Sequence, residues 1–124
     1  MTMKYTPDHE WINQDGDRAT VGITHHAQDA LGDVVFVDLP EVGKSYAQKE
    51  AVAVVESVKA AADVYMPAQG EIVEVNEDLR ANPALANSDP LGAGWFFKVK
   101  LDHPKDLDTL MDTTSYTAYA ADTH

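Results

Sequence analysis

A small, mainly β domain is what this chain of 124 residues predicts: an antiparallel sandwich or barrel carrying a few short helices. Three observations carry that prediction. Short Val-rich or alternating apolar segments recur along the chain far more often than any sustained 3.6-residue period. Gly, Pro, Asn and Asp punctuate the intervals between them, which suits hairpins and tight turns. The length supports one hydrophobic core, so residues 1–124 are read as a single domain with its core over about residues 5–112.

The elements follow in order. Glu10 to Gln14 and Arg18 to Ile23 flank Asp15-Gly16-Asp17, a hairpin signal. In the second of these strands Ala19, Val21 and Ile23 alternate with Arg18, Thr20 and Gly22. Thr24 suits the N-cap of a short helix running to Leu31, and Gly32 suits its end. Asp33 to Leu39 reads as a strand closed by Pro40. Ala51 to Glu56 and Ala62 to Met66 read as two arms of one hairpin. Pro67-Ala68-Gln69-Gly70 then turns the chain into Glu71 to Val75. Gly43 and Gly70 are assigned to turns.

From Asn76 to Gly94 loop punctuation dominates, with a helical turn over Pro83 to Ala86. Trp95 to Leu101 is a strand presenting Trp95, Phe97, Val99 and Leu101 on one face. His103-Pro104 opens a helix near the C-terminus whose Leu107, Leu110 and Met111 share one side, with Pro in the first turn. Residues 113–124 lack a period and are expected to form a mobile tail.

Charge and composition bound the function. Nine Lys and Arg against 21 Asp and Glu give a net charge of −12, which disfavours nucleic acid and anionic membrane as partners. The acidic surface serves solubility and is suited to steering onto basic partners. With no cysteine, disulfides, thiol catalysis and cysteine-ligated metal are excluded. No segment has the apolar length of a membrane span. The opening Met1-Thr2-Met3-Lys4-Tyr5 has neither the apolar run of a signal peptide nor the Arg-rich character of a transit peptide, so a cytoplasmic location is expected.

The most informative segment is Val54-Val55-Glu56-Ser57-Val58-Lys59-Ala60-Ala61-Ala62-Asp63-Val64-Tyr65-Met66-Pro67. A chain that runs out on one strand and back on the next turns near Lys59 and lifts its ammonium to the tip. Intrinsic reactivity does not single out this lysine among seven. At an unperturbed pKa near 10.4, roughly one exposed amine in a few thousand is neutral at pH 7. Shape therefore selects it, with Glu56, Ser57 and Asp63 as polar handles around the tip. The bland alternative, a solvated lysine on a turn, describes most lysines.

The Glu-Ser-Val-Lys-Ala run, with Asp63, Pro67 and Gly70 after it, resembles the lipoylation site of the glycine cleavage system H protein. Further blocks support the resemblance in order along the chain: Tyr5-Thr6-Pro7-Asp8-His9-Glu10-Trp11, Ala19 to Thr24, Leu31 to Val37, Leu39 to Gly43, Gly70 to Asn76, Asn87 to Pro90, and Gly94-Trp95. Coverage runs from about Tyr5 to Tyr116. Generic lipoyl domains usually carry Asp-Lys-Ala at the tip, and biotin carriers place Met on both sides of the lysine. Here the neighbours are Val58 and Ala60. Lys49-Glu50 stands where the family commonly has Gly-Glu, and His25-His26 also departs from its pattern.

The resemblance implies a barrel-sandwich hybrid of the lipoyl/biotinyl carrier type and a carrier rather than an enzyme. Lipoate is implied as an amide on Lys59. Glycine decarboxylase would send an aminomethyl group onto the arm, and aminomethyltransferase would pass its carbon to tetrahydrofolate. Dihydrolipoamide dehydrogenase would reoxidise the dithiol, and a lipoate ligase or octanoyl/lipoyl transferase would install the arm on a monomer. The loaded arm is expected to fold back into a cleft near the His9-Glu10-Trp11 block, where the family pattern makes Asp8, Glu10 and Asp63 the carboxylates that receive its ammonium, Glu10 above all. Two alternatives stay open: a relay that hands lipoate to other complexes, and an unmodified acidic binding module.

Other signals receive bland readings. Adjacent His25 and His26 lack the i, i+4 spacing of metal-binding helices. Ser57, Ser88 and Ser115 have no histidine and carboxylate at a recognisable spacing. Gly92-Ala93-Gly94 precedes a strand and is too short for a phosphate loop. Trp11 and Trp95 are read as core or near-core aromatics.

Overall fold

The computed structural model describes residues 2–123. Its strands form two antiparallel sheets. The larger has six strands in the order β1-β2-β3-β9-β8-β5 and the smaller three in the order β4-β6-β7. Strands β1 (Thr2–Tyr5), β2 (Glu10–Asp15) and β3 (Arg18–Ile23) form a meander. The β2–β3 hairpin turns where expected but with a loop of two residues rather than three, since Asp15 pairs with Arg18, and Gly16 lies at φ 66°. Helix α1 (His25–Leu31) starts at Thr24, whose hydroxyl accepts from Ala27 N, and stops at Gly32, whose φ of 77° an L side chain resists. These are the caps the sequence announced.

Strand β4 (Val34–Asp38) pairs with β6 (Ala51–Ser57), and β6 pairs with β7 (Ala61–Tyr65). Strand β5 (Ser45–Tyr46) joins the large sheet through β8 (Gly70–Val75), and β8 pairs with β9 (Phe97–Leu101). Ala19, Val21 and Ile23 are buried on one face of β3, as their alternation predicts, and meet Val37, Val55, Val64, Ile72, Phe97 and Val99 in one core. Both sheets contribute to it, so burial of their apolar faces holds them together, at roughly 25 cal/mol per Å² of apolar surface.

Several expectations require correction. The loop expected over 76–94 also contains α2 (Glu77–Ala81), where Asn76 Oδ1 accepts from Leu79 N and Leu79 is fully buried. The helical turn expected at Pro83 to Ala86 lies slightly later, as α3 (Leu85–Ser88). Strand β9 starts at Phe97 rather than Trp95. The helix expected after His103 is a 3-10 turn over Pro104–Thr109, which buries Leu107 and sends Leu110 and Met111 to different apolar clusters. Gly43 does take a positive φ of 92° at a turn. Gly70 instead begins β8, where a Cβ would come within 2.3 Å of Lys100 O. Close strand approach, and not turn conformation, demands glycine there.

The largest departure is at the C-terminus. Helix α4 (Thr113–Thr123) replaces the tail expected to be mobile; of that segment, residue 124 lies outside the described residues. Asp112 Oδ1 accepts from Ser115 N at its start. Tyr116 is buried, and its ring stacks on Tyr5 at 4.5 Å. Together with Trp11 these rings form a second, smaller apolar cluster.

Lys49, where the resemblance leads one to expect glycine, has a φ of 70°. Its N–H donates to Met66 O at 2.7 Å, which fixes the turn, while its side chain is exposed. A side chain in the left-handed region costs about 1–2 kcal/mol, part of which glycine loses again through the entropy of its unfolded chain. Lys49→Gly is therefore expected to stabilise the domain by about 0.5–1 kcal/mol and raise its melting midpoint by about 2–4 °C. A midpoint that falls in calorimetry would count against strain at Lys49.

Candidate functional site

The β6–β7 hairpin is the tip the sequence predicts. Glu56 pairs with Ala61, and Ser57 N donates to Ala60 O at 2.8 Å, so Val58 and Lys59 form the two-residue loop. Two-residue hairpin loops usually need a positive φ, but neither Val58 nor Lys59 adopts one. Ser57 supplies the alternative. Its Oγ accepts from Lys59 N at 3.2 Å and Ala60 N at 3.1 Å and donates to Ala60 O at 3.0 Å. A side chain that closes the turn on itself frees the tip from glycine, so lysine can occupy it. Lys59, Glu56 and Asp63 are exposed.

The tip of the hairpin is tied to the segment between α1 and β4, which Asn87 in turn holds in place. Val58 N donates to Asp33 O, and Asn87 Oδ1 accepts from Val34 N while its amide donates to Gly32 O and Gln28 Oε1. The Lys59 stem lies over Gly32, where an added Cβ would come 3.3 Å from Lys59 Cε. Gly32 thus serves twice, as helix terminus and as the floor beneath the lysine.

Beside the hairpin a cleft of about 190 Å³ opens between β7 and the start of β2. Ile23, Ala27, Leu31, Val55, Ala62 and Val64 give it apolar walls; Asp8, His9, Glu10 and Asp63 supply the polar groups. The structure therefore brings Asp8, His9, Glu10 and Asp63 together, whereas Glu56 and Ser57 stay with the hairpin tip.

Glu10 is not the solvated acid its letter suggests. It is 2% exposed. Its Oε1 accepts from Thr6 Oγ1 at 2.9 Å and its Oε2 from Tyr65 N at 2.8 Å. Strand β7 is an edge of its sheet, so Tyr65 N–H has no strand partner there, and Glu10 supplies the acceptor. Burial pushes the Glu10 carboxyl up from 4.5 to about 7, against the two hydrogen bonds that favour its anion; Asp8 pushes it up slightly further.

His9 sits at φ 67°. Thr24 N donates to its carbonyl, its Nδ1 lies 2.8 Å from Tyr116 Oη, and its ring stacks on His26 at 4.1 Å. Tyr116 Oη is also 2.7 Å from the Thr24 hydroxyl, so the terminal helix reaches the helix cap and the cleft wall through one phenol. Sequence reasoning missed Tyr116 as a supporting residue. Asp112 three positions before Ser115, a helix-start signal, was the clue available in that segment.

These features fit an aliphatic arm joined to the lysine as an amide: an exposed amine, a side-chain-free floor under the stem, and an apolar cleft with carboxylates at its polar end. Fold and site together define a carrier-type domain, one that displays an exposed lysine at the tip of a hairpin closed by Ser57. The comparisons with known proteins give the family. A family model described as glycine cleavage H-protein matches residues 3–123. The chain is 55% identical over 120 residues to the glycine cleavage system H protein of Bradyrhizobium diazoefficiens, covering 97% of this chain and 98% of that protein. It is 57% identical over 115 residues to the one from Neisseria meningitidis serogroup C, covering 92% and 90%. The crystal structure of a glycine cleavage system H protein from Mycobacterium marinum superposes with a TM-score of 0.88 at 40% identity, covering 97% of both chains. The chain belongs to the glycine cleavage H-protein family, the lipoyl carrier of the glycine cleavage system.

Proposed function

We propose that Lys59 carries lipoate as an amide and that this chain is a substrate-like carrier with no catalytic residues of its own. The observation that supports it most is the Ser57-closed turn, which holds an exposed lysine at the hairpin tip beside an apolar cleft. The bound group would supply a redox-active dithiolane able to hold an aminomethyl group. The chain's residues then do three things. Ser57 fixes the tip so that different enzymes meet the same lysine. Ile23, Leu31 and Val64 exclude water from the arm. Asp8, Glu10 and Asp63 place negative charge where the aminomethyl ammonium arrives, with Glu10 central. His9 forms the wall between them.

Glycine decarboxylase, aminomethyltransferase and dihydrolipoamide dehydrogenase are the partners this reading requires, with a lipoate ligase or octanoyl/lipoyl transferase to install the arm. We place the protein in the cytoplasm as a monomer; the described residues include no helix long and apolar enough to cross a membrane. Peptide mass spectrometry of protein from its native cell is expected to find one lipoyl adduct, on Lys59 and on none of the other six lysines. A bare Lys59 in cells that lipoylate other proteins would favour the unmodified acidic binding module instead.

A further inference from the structure

Apolar side chains stand exposed beside Lys59 for a reason visible in the strand pairing. In β4, Val34 and Val37 are buried, so simple alternation would turn only one of the two residues between them outward. A register shift between Val34 and Phe36 breaks the alternation, and both Val35 and Phe36 face solvent, 56% and 48% exposed. Bulges of this kind re-aim side chains near functional sites. The same edge of the hairpin carries Val58, 67% exposed and bound through its N–H to Asp33 O. Val35 and Phe36 on β4, level with Ser57 and Glu56 at the end of β6, and Val58 in the turn itself thus put three large apolar side chains near the lysine.

Their surroundings have one sign. Across residues 25–40 and 51–65 Lys59 is the one Lys or Arg in the sequence. Asp33, Asp38 and Glu56 are exposed around the apolar residues. Acylation will remove even the Lys59 charge.

We propose that this patch is the docking surface for the enzyme that acylates Lys59, and that this enzyme meets it with an apolar contact rimmed by basic side chains. The inference rests on the reading of Lys59 as the attachment site. It selects the acylating enzyme over later partners by reach. An acyl transfer onto Lys59 Nζ, in which the amine displaces AMP from an acyl adenylate and loses a proton, needs the amine itself inside the enzyme's active site. Everything next to Lys59 then lies in the interface. Enzymes that act on the finished dithiolane meet the far end of the arm and need not touch the hairpin. Apolar anchors near the centre of such a contact with charged residues at its rim match the anatomy of specific interfaces.

The test uses the full chain in unmodified form, a purified lipoate ligase, lipoate and ATP, with the acylated product counted by intact mass. Phe36→Ser and Val58→Ser are each expected to lower kcat/KM for acylation about tenfold, chiefly through KM for the carrier. Val42→Ser, also an exposed apolar position but on the turn that Gly43 N–H ties to Ile72 O in the other sheet, is expected to stay within about twofold of the parent. Melting midpoints of all three are measured alongside. Unchanged kcat/KM in both patch variants, with the parent acylated normally, overturns the docking proposal and leaves the attachment reading standing. Patch variants that acylate normally but load slowly with glycine decarboxylase also overturn it, assigning the surface to a later partner. Failure of the parent chain itself to be acylated overturns the attachment reading instead.

Discussion

Lys59→Arg is expected to abolish glycine–bicarbonate exchange with glycine decarboxylase while the protein stays folded. A guanidinium keeps the positive charge but remains protonated and forms no lipoyl amide, so no arm is installed. The structural cost is small. Lys59 is exposed at the tip, its stem rests on Gly32, and the turn is closed by Ser57 and backbone atoms rather than by the lysine side chain. Replacing it should change stability by less than about 1 kcal/mol. Exchange kinetics on purified variant and parent, with a thermal melt of each, check both halves. Exchange that survives in the variant would remove Lys59 from the carrier role.

Much of the fold was legible because its signals are local. The Asp15-Gly16-Asp17 turn, the Thr24 cap, the Gly32 stop and the two arms of the lysine hairpin each follow from neighbours in sequence, and each appears in the structure. The missed elements lack a local signal or have one too short to register. Strand β5 has two residues and exists only through its pairing with β8. Strand β1 is an outer strand whose Tyr5 also bridges to Met111. Helix α2 spans five residues, about one turn, too few to display a period. Helix α4 opens Thr-Thr-Ser, residues with modest helix propensity, and its apolar face is short, Tyr116, Tyr119 and Ala120 packing into the second cluster with Tyr116 stacked on Tyr5.

The candidate site divides the same way. Lys59 at its tip was readable from one hairpin, and family likeness pointed to Asp8, His9, Glu10 and Asp63; Ser57, read only as a polar handle, turns out to close the turn. What no local pattern carries is the support behind them. Tyr116 Oη and His9 Nδ1 are 107 positions apart in the chain and 2.8 Å apart in space. Glu10 is burdened with an edge-strand N–H 55 positions away, a debt that becomes visible only once β7 is known to be an edge. The solvated alternative for Glu10 fails on this contact and on its burial.

Glu10 also makes the domain's behaviour depend on pH in a direction that can be worked out. Its carboxyl titrates near 7 when folded, against 4.5 for the unperturbed group. Between those values the folded chain holds a proton that the unfolded chain has released, so stability falls as pH rises through this window and the loss is complete above the folded pKa. A shift of that size corresponds to about 3 kcal/mol. Glutamine suits the same site: its carbonyl can accept from Tyr65 N, and its amide can donate to Thr6 Oγ1. Denaturation from pH 4.5 to 8 should therefore show the parent losing about 3 kcal/mol relative to Glu10→Gln; parallel curves would refute the raised pKa. The same titration bears on the loaded arm. An aminomethyl ammonium entering the cleft favours the Glu10 anion, so docking draws the carboxyl's pKa back down and is itself favoured as pH rises through about 7. A charge-assisted hydrogen bond contributes about 1.5–3 kcal/mol, enough to turn a mostly free arm into a mostly docked one. The aminomethylated parent should thus outlive aminomethylated Glu10→Gln at pH 8, with the gap narrowing at pH 6, where the parent's carboxyl is largely neutral. Lifetimes followed by intact mass test this. Equal lifetimes for the two proteins at pH 8 would show that Glu10 shapes the cleft without holding the arm's charge.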